Sequence, residues 1–91
     1  MPFEWDTGKA NANFLKHGVR FSESESVLDD DRAITIEDDV SDLEEHRFVT
    51  IGSGAKGRVL VLVYCYRKIN IRIISARVAN AQEREQYEEN R

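Results

Sequence analysis

With 91 residues, of which 41% are hydrophobic and 33% charged, the chain is sized for a single domain, 1–91, and is too mixed in charge to remain disordered. One cysteine, Cys65, excludes an intramolecular disulfide framework, two histidines leave no closed zinc site, and the longest apolar run, from Val59 to Tyr66, falls far short of the roughly 20 residues that span a bilayer. The net charge of −4 speaks against nucleic acid only as an average, because acids and bases are segregated along the chain.

Phe3-Glu4-Trp5 predicts a short opening strand. Asp6 is a suitable N-cap for a helix over residues 7–17 that Gly18 ends, with Ala10, Phe14 and Leu15 toward the core and Lys9, Asn13 and Lys16 largely elsewhere. Ser22-Glu23-Ser24-Glu25 reads as a capping box opening a second, short helix, with Phe21 as its staple and Asp29-Asp30-Asp31 as its stop. Ala33-Ile34-Thr35-Ile36 begins a β-rich region, and an acidic connection follows from Glu37 to Glu45.

Residues 46–51, 58–66 and 68–75 are rich in Val, Ile, Phe and Tyr, and they are separated by Gly52-Ser53-Gly54-Ala55-Lys56-Gly57 and a tight turn near Arg67. Connections this short dictate an antiparallel meander. Alternation in the last run groups Ile69, Ile71 and Ile73 on one face and Asn70, Arg72 and Ile74 on the other. A helix over residues 80–89, with Arg84 and Glu88 one turn apart and Tyr87 docking it, closes the chain. The order is α+β: a short strand, two helices, a four-stranded meander and a C-terminal helix.

Residues 1–50 hold five basic side chains against thirteen acidic ones, a balance of −8, while the remainder totals +4. No acid occurs between His46 and Gln82, where Lys56, Arg58, Arg67, Lys68, Arg72 and Arg77 all fall. A basic module inside an acidic chain suits an anion-binding patch as well as a solvated sheet surface. The glycine-rich stretch ending in Arg58 lacks the Gly-Lys-Ser/Thr of a phosphate loop and leads into a strand, so it reads as a hairpin. Cys65 reads as a small core residue and His17 as a helix C-terminal cap. Glu45 and Arg47 are neighbours at period two, by default a surface ion pair. Arg72 and Arg77 bracket the end of the last strand, where clustered guanidinium groups suit phosphate binding and pairing with acids is the alternative.

Phe3-Glu4-Trp5-Asp6 with Lys9-Ala10, Asn13, Lys16-His17-Gly18-Val19, Phe21, Arg47-Phe48-Val49-Thr50-Ile51-Gly52, Gly57-Arg58, Ile71-Arg72-Ile73-Ile74-Ser75-Ala76-Arg77, Glu83-Arg84 and Tyr87-Glu88 together resemble the BrnT family over nearly the whole chain. The chain departs from it where the family's His-Ser stands as Val40-Ser41 and its Glu-Glu-Arg as Glu45-His46-Arg47, which leaves His46 as the imidazole nearest that position.

The resemblance implies a RelE-like fold, a cytoplasmic bacterial toxin of a type II toxin-antitoxin system, and a metal-independent ribonuclease. It also implies inhibition by a BrnA-like antitoxin with a ribbon-helix-helix segment, the complex rather than this chain binding promoter DNA. Cleavage through the substrate's own 2′-hydroxyl needs a base, an acid and cations. Glu45, Arg47, Arg72 and Arg77 are the expected catalytic residues, with Lys9, Lys16, His17, Arg58 and Arg67 holding RNA, His17 or His46 available as acid, and no metal or other cofactor. Antitoxin contacts are expected on the basic sheet, including Arg47, Arg58, Arg67 and Arg72, in competition with RNA. A non-catalytic subunit of a DNA-binding regulatory complex is the alternative; it would be harmless when expressed alone, whereas a toxin arrests growth.

Overall fold

The computed structural model describes residues 2–38 and 46–90. Its strands are β1 (Phe3–Glu4), β2 (Ile34–Asp38), β3 (Arg47–Ser53), β4 (Val59–Arg67) and β5 (Asn70–Val78), joined in one sheet of order β1-β5-β4-β3-β2. From β2 to β5 each strand pairs antiparallel with the next, as the short connections require. The opening strand instead pairs in parallel with the last, Phe3 beside Ile71 and Glu4 beside Arg72.

Helix α1 (Thr7–His17) has the expected bounds: the Asp6 carboxylate accepts the Lys9 N–H at 3.0 Å, and Gly18, at φ 68°, donates its N–H to the Phe14 carbonyl. This helix carries little apolar surface, and two of its expected facings are reversed: Leu15 points to solvent while Asn13 is buried. What fixes it is Asn13, which donates to the carbonyls of Val19 (3.0 Å) and Ala76 (2.8 Å) and accepts the Ala76 N–H (3.1 Å). One side chain thereby satisfies the β5 edge beyond the reach of the two-residue β1.

The second helix departs from its expected capping. Helix α2 (Phe21–Ser24) starts one residue before the proposed box, with Arg20 as an N-cap that makes no side-chain bond, and continues as a 3₁₀ segment (Glu25–Asp29). Glu23 turns inward to Arg58, and the Ser24 hydroxyl donates to the Phe21 carbonyl, so neither side chain serves a cap. The glycine-rich stretch is a hairpin, its loop tied to α2 by the Ala55 N–H on the Glu23 carbonyl. Helix α3 (Ala81–Glu89) has the capping box instead, formed by Asn80 and Glu83.

The two faces of the sheet are dressed differently. One packs Leu60, Leu62, Tyr64, Ile71, Ile73 and Ala76 against Val19, Phe21 and Val27 from the α1–α2 side. On the other, Ile51 and Val61 join Ala79 in a smaller cluster under Tyr87 of α3. Strict alternation fails in β5: Tyr64 stands opposite Ile73 and Val63 opposite Ser75, so Ile74 is an inserted bulge residue. Ile71 and Ile73 face the larger core as expected, but Ile69 lies in the hairpin turn with 74% of its surface exposed. Among the described residues, no helix is long and apolar enough to cross a membrane.

Candidate active site

Residues 72 and 77 are five apart and would fall on opposite faces of a regular strand. The Ile74 bulge resets the alternation, so that Arg72 is opposite Cys65 and Arg77 opposite Val61, two positions of β4 that share a face. That face also carries Arg47, opposite Cys65 from the β3 side. Arg47, Cys65, Arg72 and Glu4 therefore form one row across four strands. Among the described residues α3 is the only helix packed on this face, and it covers the Ile51–Val61 end; at the other end Arg47 and Arg72 are half-buried on either side of the buried Cys65.

Each guanidinium in the neighbourhood is held differently. Arg72 Nη1 donates to Glu4 at 2.9 Å while Asn70 donates to the other Glu4 oxygen at 3.0 Å. The Asn70 and Arg72 hydrogen bonds hold the Glu4 carboxyl below the usual carboxylate range, with Arg67 adding attraction. Glu4 is thus a fixed anion that orients Arg72 and is a poor proton acceptor near neutrality. Sequence spacing gave no sign of it, because its partner lies 68 positions away.

Arg77 makes a two-pronged contact with Glu83 of α3, both bonds 2.7 Å, which lowers the Glu83 pKa and raises that of Arg77. Arg58 is farther away, donating to Glu23 at 2.9 and 2.6 Å and to the Gly18 carbonyl at 3.1 Å. Arg67, at the end of β4, pairs in register with Asn70. Glu45 lies outside the described residues.

His46 contacts Glu37 at 3.3 Å, and Glu37 stands opposite Phe48 on the helix-bearing face. The strand alternation therefore separates His46 from Arg47. The other imidazole is better placed. Lys9, Lys16 and His17 border a groove of about 260 Å³ between α1 and the bulge, with Ile74 and Ser75 as its other wall. Ser75 is opposite Val63, whose face carries the arginine row. Three of the expected RNA-holding residues thus come together at the β5 edge, over the bulge that follows Arg72.

The arrangement offers cations on a β-sheet floor, a second set of cations along its border and an imidazole beside them. That is suited to a polyanion lying across the strands and to stabilising added negative charge at phosphorus. Among the described residues, no three His, Cys, Asp or Glu side chains gather to hold a metal ion.

Over residues 5–83 the chain matches the family described as ribonuclease toxin, BrnT, of type II toxin-antitoxin systems. Among solved structures it is similar to the ribonuclease toxin BrnT of Brucella abortus, with a TM-score of 0.68 and 23% identity, covering 88% of this chain and 97% of that one. A comparison with curated proteins found no match.

Proposed function

The chain belongs to the BrnT family of ribonuclease toxins of type II toxin-antitoxin systems, and from that membership we propose that it cleaves RNA in the bacterial cytoplasm without a metal ion, on the sheet face bearing Arg47 and Arg72. The observation that carries this reading is the strand register, which sets Arg47 and Arg72 opposite Cys65 on one face of the sheet, while the bulge that follows Arg72 lines the Lys9–Lys16–His17 groove. Lys9, Lys16 and Arg67 hold the RNA backbone, Arg47 and Arg72 stabilise the charge that develops as the 2′-hydroxyl attacks the adjacent phosphorus, and His17 or Glu45 moves the proton. Arg77 acts through α3, which it anchors, and Arg58 acts through the fold.

The same reading assigns inhibition to a BrnA-like antitoxin whose ribbon-helix-helix segment gives the complex its hold on promoter DNA. Purified protein incubated with RNA is the direct test. Cleavage that persists in EDTA is expected. Cleavage that disappears with EDTA and returns with magnesium would overturn the metal-free mechanism, and a chain that neither cleaves RNA nor arrests growth when induced alone would overturn the catalytic reading.

A further inference from the structure

On the helix-bearing face, away from the arginine row, the sheet and the 3₁₀ segment enclose a half-open cavity of about 500 Å³ that the proposed RNA site does not use. Its floor carries a chain of hydroxyls, Thr35 to Thr50 at 2.8 Å and Thr50 to Tyr64 at 2.9 Å. Three hydroxyls sharing two bonds keep acceptor capacity for an occupant. Tyr66 forms an aromatic wall, 47% exposed, yet steadied by edge-on contacts with Phe48 (5.3 Å) and Tyr64 (5.9 Å) between ring centres.

The opposite wall, from the 3₁₀ segment and the residue after it, is anionic. Asp30 is fixed by the backbone N–H groups of Arg32 and Ser53 and by the Tyr87 hydroxyl. Asp29 is exposed and makes no hydrogen bond or ion pair among the described residues. Among the described residues, no lysine, arginine or histidine lines the cavity.

Carboxylates, hydroxyl oxygens and an aromatic ring with no cation among them call for an occupant that brings positive charge and several donors on a flat group. A guanidinium meets all three demands: it stacks on a tyrosine ring and presents its N–H fork to a carboxylate. A nucleotide would bring its phosphate against Asp29 and Asp30. The occupant's source follows from family membership, since a type II toxin has an antitoxin partner, and from the acidic balance of the chain's first half.

We propose that this cavity receives an arginine side chain of the antitoxin, an anchoring contact on the face of the sheet opposite the cationic row. The sequence placed partner contacts on the basic residues; the anchor instead uses the acidic half of the molecule. It depends on the chain's being a toxin with an antitoxin and does not depend on the mechanism of RNA cleavage.

The test titrates 15N-labelled protein with N-acetyl-L-arginine amide, and in parallel with the citrulline and lysine counterparts and with adenosine monophosphate. Arginine is expected to move the amide signals of Thr35, Thr50 and Tyr66, citrulline to leave them in place, and Asp29→Asn to abolish the arginine effect. Equal shifts with citrulline or lysine, stronger shifts at these amides with the nucleotide, or no shifts with any probe would overturn the assignment. A second arm measures affinity for the cognate antitoxin. Asp29→Lys and Tyr66→Ala, both at exposed positions, should each weaken it at least tenfold while RNA cleavage by the free protein stays unchanged, and unchanged affinity in both would equally overturn it. Loss of cleavage in the unmodified protein would count against the catalytic proposal alone.

Discussion

Arg58, just before β4, and Arg72, on β5, are the same residue type, yet replacing them should have opposite consequences. Arg58 neutralises Glu23, whose side chain is only 4% exposed, so Arg58→Ala leaves a carboxylate in the interior without its partner. Breaking such a pair costs about 3 kcal/mol, and the loss should appear in urea unfolding, with the folded fraction still cleaving RNA at its former rate. Arg72 and Glu4 are about a quarter and a third exposed, so their pair contributes little to stability. Arg72→Ala should leave the unfolding midpoint almost unmoved and lower the cleavage rate by roughly 10²-fold, the effect of losing one contact to transition-state charge. Equal rates in the two variants would remove Arg72 from the site.

At the scale of elements, α1 depends on one polar side chain more than on its apolar face. Asn13→Ala strips partners from the Val19 carbonyl and from both backbone groups of Ala76. A loss of about 3 kcal/mol is expected, together with faster amide exchange in α1 and at the β5 edge. The bounds of α1, the meander and the closing helix were legible in the sequence because caps, β-branched runs and short turns are local signals. Other features were not legible for physical reasons. The Ile74 bulge follows from how β5 must satisfy two cores, and no periodicity within 68–75 announces it. Parallel pairing of β1 depends on a partner at the far end of the chain. Ser22 to Glu25 carries the pattern of a capping box, but burial of Glu23 against Arg58 outweighs it. The cations of the candidate site were legible as residue types; their sorting between the site and the scaffold depends on tertiary partners, which separate Arg58 from Arg72.

Across the whole molecule the ion pairs and capping bonds make stability depend on acidity in one direction. Glu23 is lowered by its Arg58 hydrogen bonds and Glu83 by those of Arg77, while at Asp30 burial pushes the carboxyl up and bonds from Tyr87, Ser53 and Arg32 outweigh it. Glu4 is lowered as well. Since the unfolded chain takes up protons at the ordinary values of 3.8 for Asp and 4.5 for Glu and the folded chain resists until lower pH, stability is fully present above about pH 5 and is lost as the pH falls through the folded values. Unfolding midpoints measured from pH 7 down to pH 3 should decline only in the acidic limb, and Glu83→Gln should flatten that decline. A midpoint that rose on acidification would contradict these assignments.

The parallel seam between β1 and β5 also sets the order in which the molecule can become dangerous to its host. Glu4 meets Arg72 and Asn13 meets Ala76 across 68 and 63 positions of sequence, so a chain still being synthesised has its lysine-bearing helix long before it has the strand that helix must flank. Partial products hold neither the arginine row nor the groove beside it. If the proposed site is the one that acts, it comes into existence only when the last strand slots between β1 and β4, and a nascent chain without that strand should leave the RNA around it intact.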